Sequence, residues 1–227
     1  QGEMEQRLLR AQVGLLGNYD AFHTGQQEQA MLLELLKSPP EFVMEGSRPN
    51  LLGMVGRLEV SLRQQVELID HFKTTNALVM NSRRYLPLAA RELKRSGNDE
   101  LASLAQEASV EEIRLNTADE YDGRSLVKVS RRLRDWAESR GDDPLVKQAL
   151  SLSRHVELLA QGEGDLRSLV RVILDLPTRR EVEALGDTYA DTISGSLRRS
   201  QQERRYLLLL GGVLPGAAGT HRLDNVA

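Results

Sequence analysis

Phe72 to Pro87 reads FKTTNALVMNSRRYLP. It lies inside a long helical pattern whose apolar positions are Leu51, Val55, Leu58, Leu62, Ile69, Phe72, Val79 and Met80. At about 100° per residue these side chains share one face. Asn76 and Arg83 fall on that same face. A stripe that should bury only hydrocarbon thus carries an amide and a guanidinium. Burying such groups is costly unless each finds a partner. Two readings follow. An internal polar network fixes helix register, as a buried Asn does in coiled coils. Alternatively, Lys73, Asn76, Asn81 and Arg83 meet a polar ligand.

Working outward, the pattern before this stretch begins near Asn50 and the pattern behind it reaches Leu86. Pro87 lacks the N–H donor, so it kinks or ends the helix; an extension reaches Arg95 and Gly97 closes it. Upstream, a first helix is expected from Glu3 to Lys37, with Met4, Leu8, Ala11, Leu15, Tyr19, Phe22, Gln26, Ala30 and Leu33 on its stripe. Ser38-Pro39-Pro40 stops it. If the two helices turn at residues 38–47, Tyr19 faces Val66 and Asn76 faces Leu9. Tyr19 and Asn76 would then stand about 15 Å apart along the axis, too far for one small pocket. Tyr19 reads as core with a hydroxyl that needs a partner. Asp20 lies about 100° away and reads as a solvated carboxylate.

Downstream, Asn98 or Asp99 caps a third helix to about Asn116. Tyr121-Asp122-Gly123 is a turn. A fourth helix carries Leu126, Val129, Leu133 and Trp136 and stops near Gly141. Asp143 caps a fifth, with Pro144 at its first position and a stripe of Leu145, Ala149, Leu152, Val156 and Leu159. Gly162 and Gly164 are expected to separate a short sixth helix, about 165–176. Thr178 and Glu181 form a capping box for the last, whose stripe is Val182, Leu185, Tyr189, Ile193, Leu197 and Ser200. That makes seven helical segments and no strand pattern. The fold expected is all-α, an elongated bimodular helical bundle of two stacked bundles sharing long helices. Residues 1–210 would form this double bundle, in membrane-proximal and membrane-distal halves.

Residues 99–122 hold eight acidic side chains against Arg114 alone, and residues 124–140 hold six basic ones against Asp135 and Glu138. Antiparallel helices with complementary surfaces explain this; a basic docking face for an anion is the rival. Tyr206 to Gly219 is uncharged and opens with four leucines after the tyrosine. It resembles a membrane span cut short, since a span needs about 20 apolar residues and Pro215 and His221-Arg222-Leu223-Asp224 spoil it. Residues 206–227 are therefore expected to be a truncated membrane-helix start plus tail; a frayed hydrophobic tail of a soluble protein is the alternative.

Several function classes are disfavoured. The 227 residues carry a net charge of −3, so no basic field suggests nucleic acid. There is no cysteine, so disulfide and thiol chemistry drop out. His23, His71, His155 and His221 never pair at helical spacing, and no metal site or cofactor is indicated. No nucleophile stands beside a base, so no catalytic residue is expected.

The motif Phe72, Lys73, Asn76, Ala77, Asn81, Ser82, Tyr85 and Pro87 resembles the signature of the DAHL domain, the double all-alpha helical sensor domain of bacterial transmembrane receptors, chiefly histidine kinases. Tyr19-Asp20 matches an aromatic–Asp pair of that family, and the helical layout agrees over residues 3 to 210. The resemblance implies an extracytoplasmic, periplasmic input module of a histidine kinase in a two-component system. It implies a homodimer in the full-length receptor, anchored to the membrane through flanking helices. The effector would be an unknown small molecule or a periplasmic partner protein. The candidate ligand-binding residues are Lys73, Asn76, Asn81, Arg83, Tyr85, Tyr19 and Asp20. A ligand-free helical scaffold or protein–protein interaction bundle is the alternative. In a receptor both chain ends meet one bilayer face, which would bring Met4, Leu8 and Ala11 close to Leu197 and Ser200.

Overall fold

The computed structural model describes residues 6, 10, 20–40, 43, 45–117 and 123–212. These form helices α1 (Asp20–Leu36), α2 (Arg48–Arg95), α3 (Asp99–Thr117), α4 (Arg124–Arg140), α5 (Val146–Asp175) and α6 (Thr178–Gly212). No strand occurs among the described residues. The fold is an all-α helical bundle. The chain divides into two compact units: Gln1–Gln29 with Ser61–Pro177, and Ala30–Val60 with Thr178–Ala227.

In the first unit, α2 contributes Ile69, Phe72, Val79, Leu86, Ala89 and Leu93 to one apolar cluster. Their three- and four-residue spacing keeps them on one face. Pro87 sits within the helix and is exposed. Its ring points away from the core, and the helix runs on past its missing donor to Arg95. Gly97, at φ 74°, then turns the chain in the left-handed region that a side chain disfavours. Asn98 Oδ1 accepts from Leu101 N at 3.0 Å and so caps α3.

α3 and α4 run antiparallel, and their partner numbers run in opposite directions: Glu100 with Arg140 at 3.4 Å, Glu107 with Arg132 at 2.6 Å. The acidic and basic segments thus pair with each other along this contact. α4 packs most extensively on α5. There the Ser130 and Ser153 hydroxyls lie 3.0 Å apart, and each reaches the other residue's carbonyl. Leu126, Val129, Leu133 and Trp136 are all buried.

α5 overturns one expectation. It is a single helix of 30 residues, and Gly162 and Gly164 do not divide it. Gly162 is buried, and a Cβ there would stand 2.5 Å from Val79 Cγ2. The glycine lets α2 and α5 approach closely; it is not a breaker. The capping box is not formed either. Thr178 Oγ1 and Glu181 Oε2 are buried without a hydrogen-bond partner among the described residues.

In the second unit Leu33, Val43, Leu51, Val55, Leu58 and Leu185 are buried. The segment after α1 is more than a turn, because Val43 is 1% exposed and its carbonyl accepts from Arg48 Nε at 3.2 Å. This segment occupies length beside α2, so the simple hairpin count fails. That count puts Lys37 opposite Arg48; Lys37 instead pairs with Glu59 at 3.2 Å. The separation argued for Tyr19 and Asn76 loses its basis. Tyr19, Met4, Leu8 and Ala11 lie outside the described residues. The expected stripe of α6 also fails in part. Leu185 is buried, but Val182, Ile193 and Leu197 are 51%, 39% and 60% exposed.

Candidate functional site

All of the site described here lies in the first unit. Phe72, Asn76, Val79, Ser82 and Leu86 of α2 are buried at 0–2% exposure, the face predicted from their spacing. Asn76 is therefore an inner residue that interacts within the protein. Lys73 is half-buried and pairs with Asp70 one turn back at 2.8 Å. Asn81 is exposed and Tyr85 half-buried. Asp20 is exposed on α1, where its carbonyl accepts from Thr24 Oγ1 at 3.2 Å.

Arg83 joins three helices. Its Nε lies 2.9 Å from Glu112 Oε1 of α3, and its Nη2 contacts Glu163 Oε1 of α5. The three side chains are 14%, 17% and 6% exposed. Nη1 also lies 3.8 Å from Met80 Sδ. The guanidinium fork reaches two acceptors in different directions, which an ammonium on a flexible stem holds less rigidly. Burial pushes the Glu112 carboxyl above its ordinary value, and the charge of Arg83 opposes this. Burial also raises Glu163; Arg83 and Arg167 oppose the rise and Glu112 adds to it. Arg167 donates to the Leu115 carbonyl at 2.8 Å and so ties α5 to α3 again. Glu111, beside Glu112, pairs with Arg114 at 2.7 Å.

One turn of chemistry here was not anticipated. Ser82 Oγ donates to the Leu78 carbonyl at 2.8 Å and lies 3.0 Å from His155 Nδ1. With the hydroxyl proton so used, Nδ1 is the donor in the second bond, which places the imidazole proton there. Burial lowers the His155 pKa. Its ring stacks at a tilt on Tyr85, with centroids 4.2 Å apart and planes at 34°. Ser82 is fully buried, so the pair is no nucleophile and base open to a substrate. Among the described residues no group of three acidic or histidine side chains can hold a metal ion.

The structure thus gathers Asn76, Ser82 and Arg83 on the inner side of α2, with Lys73 and Tyr85 flanking and Asn81 outside. Glu112, Glu163 and His155 were missed from sequence. The test that singled out Arg83 would have found two of them. Glu163 continues the stripe of Leu152, Val156 and Leu159, and Glu112 stands beside the stripe of Leu104, Ala108 and Leu115.

Comparison with known proteins gives one match. The family model of the DAHL domain matches residues 1–204. No curated protein and no solved structure matches the chain.

Proposed function

The chain belongs to the DAHL domain family, a family of sensor domains, and on that premise we propose that it is the extracytoplasmic input module of a membrane-bound receptor whose output is a histidine kinase. The observation that carries the mechanism is the Arg83–Glu112–Glu163 junction. It ties α2, α3 and α5 through one guanidinium, so a shift of α2 against either neighbour exchanges one arrangement of ion pairs for another. Packed interfaces switch between discrete arrangements and do not deform continuously, with steps of about 1–2 Å. The effector, a small molecule or a periplasmic protein, must bind the two packings with different affinity. Lys73, Asn81 and Tyr85 keep solvent-accessible surface on the same stretch of α2, and these are the side chains we expect an effector to reach first.

No helix among the described residues is long and apolar enough to cross a membrane. The placement is tested in the full-length protein. These 227 residues have no native cysteine, so Asn81→Cys, with any cysteine elsewhere in the receptor replaced, supplies a single thiol. A membrane-impermeant maleimide should label it on intact cells. Labelling only after lysis overturns the placement. Signalling is tested by autophosphorylation in membrane vesicles: Arg83→Gln should shift the basal output, and Arg84→Gln, on an exposed side chain, should leave it unchanged. The engagement of Arg83 inside the protein also supports a ligand-free scaffold. An unchanged output from a folded Arg83→Gln receptor favours that second reading.

A further inference from the structure

The charges at the three-helix junction do not balance. Glu112 of α3 and Glu163 of α5 both end on the guanidinium of Arg83. Among the described residues neither carboxylate touches a second cation. Arg167 of α5 acts on Glu163 through its charge, but its hydrogen bond goes to the Leu115 carbonyl. Glu111 and Arg114 of α3 close on each other. α4 directs Arg132 to Glu107 and Arg134 to Glu157. On α2, Lys73 pairs with Asp70, and Arg84 is exposed. His155 of α5 is held to Ser82. The junction itself thus sets two carboxylates against one cation, in a place where all three side chains are mostly buried.

A buried charge in excess of its partners is costly, and a carboxylate can shed it by taking up a proton. Two carboxylates that share one site do so above the ordinary value of about 4.3. Burial raises both carboxyls here, and the charge of Glu112 raises Glu163 further. A protonated carboxyl is also a donor, so it can hydrogen-bond where its ionised form could only accept.

We propose that the Arg83–Glu112–Glu163 junction is a proton-binding site: on acidification it takes up one proton, shared by the two carboxyls, and α3 and α5 shift as one of the two ion pairs is lost. The proton belongs to the pair and to neither residue alone. A packing that brings the carboxylates together binds it more tightly than one that parts them, so the proton biases the packing. The proton is then an input to the domain in its own right. This inference rests on the receptor reading for what the step reports to, and not for the chemistry of the site.

A chain labelled with carbon-13 at its glutamate carboxyls tests this by NMR, titrated across the ordinary carboxylate value of about 4.3. Glu112 or Glu163 should titrate above that value. In Glu112→Gln the midpoint of Glu163 should fall, because the remaining carboxylate then has Arg83 to itself; Glu163→Gln should do the same to Glu112. Should a glutamine variant unfold, the two assigned midpoints of the unmodified chain decide. The movement is read by spin labels on Ile113→Cys of α3 and Gln161→Cys of α5, both exposed positions in a chain with no cysteine. Their separation should change by about 1–2 Å over the same pH range, and should not in Glu163→Gln. Both midpoints at or below the ordinary value overturn the proposal. So does a raised midpoint that the partner's substitution leaves in place, which is burial without sharing. A separation that stays constant, or that follows the His155 titration in Glu163→Gln, overturns it too. These measurements use the chain by itself, so their failure leaves the receptor reading standing, and the vesicle assay tests that reading separately.

Discussion

At the scale of single residues, Arg83 is the side chain whose removal is most informative. Arg83→Met leaves two buried carboxylates without their shared cation. Breaking a buried pair in this way costs about 3–5 kcal/mol, which urea unfolding at neutral pH should register. Glu112 and Glu163 both have raised values when folded. A carboxyl of that kind holds its proton more tightly in the folded state. Its contribution to stability is complete at pH below the ordinary carboxylate value and is lost as pH rises through the raised one. The deficit of Arg83→Met should therefore shrink between pH 7 and pH 5. Adding Glu112→Gln and Glu163→Gln should recover most of it at neutral pH. A deficit that does not change with pH would mean that the carboxylates find other cations. His155 runs the other way. Its lowered value favours the neutral ring in the folded state, so its contribution is present above about pH 6.5 and fades as pH falls through the lowered value. An NMR titration of the His155 ring should have its midpoint below the ordinary imidazole value; a midpoint at or above it contradicts the burial between Ser82 and Tyr85.

At the scale of helices, what was legible in sequence was local, and what was not legible depended on a neighbour. Asn98 announces its cap and Gly97 its reversal because both act within a turn of their own position. The inward direction of Asn76 and Arg83 follows from helical period alone. Gly162 was misread because a glycine in a helix looks the same whether it ends the helix or admits another one. Only the position of Val79 distinguishes the two, and that residue is on α2. For the same reason the partners of Arg83 could not be chosen among the many acids of the chain, and the link from Ser82 to His155 left no mark in the signature. Thr178 shows the converse failure, a local motif whose side chains do not make the expected bonds. The Gly162 contact makes a sharp prediction. Gly162→Ala places a methyl 2.5 Å from Val79 Cγ2, and a β-branched side chain has little freedom to retreat. The overpacking should cost about 1–3 kcal/mol. Val79→Ala should relieve the clash, so the double variant should be more stable than the two single losses added together. Strict additivity in that double-mutant cycle would show that the two residues do not meet.

At the scale of the whole molecule the two units differ in how well each fills its own core. The first gathers Phe22, Phe72, Leu133, Trp136, Leu159 and many others into one cluster. The second buries six hydrophobic side chains among its described residues, Leu33, Val43, Leu51, Val55, Leu58 and Leu185. α2 belongs to both, with Arg48 to Val60 in one and Ser61 to Arg95 in the other. A helix of that length keeps its backbone bonds throughout, but tertiary packing of an apolar face supplies most helical stability. Local opening follows the density of buried apolar contacts. Amides of α5 between Ala149 and Ile173 should accordingly be the slowest to exchange with deuterium. Those of α6 between Val182 and Leu197 should exchange markedly faster. Within α2, the amides near Val79 to Leu93 should outlast those near Leu51 to Leu58. Equal exchange rates in α5 and α6 would show that the thinner core holds its helices as firmly as the fuller one.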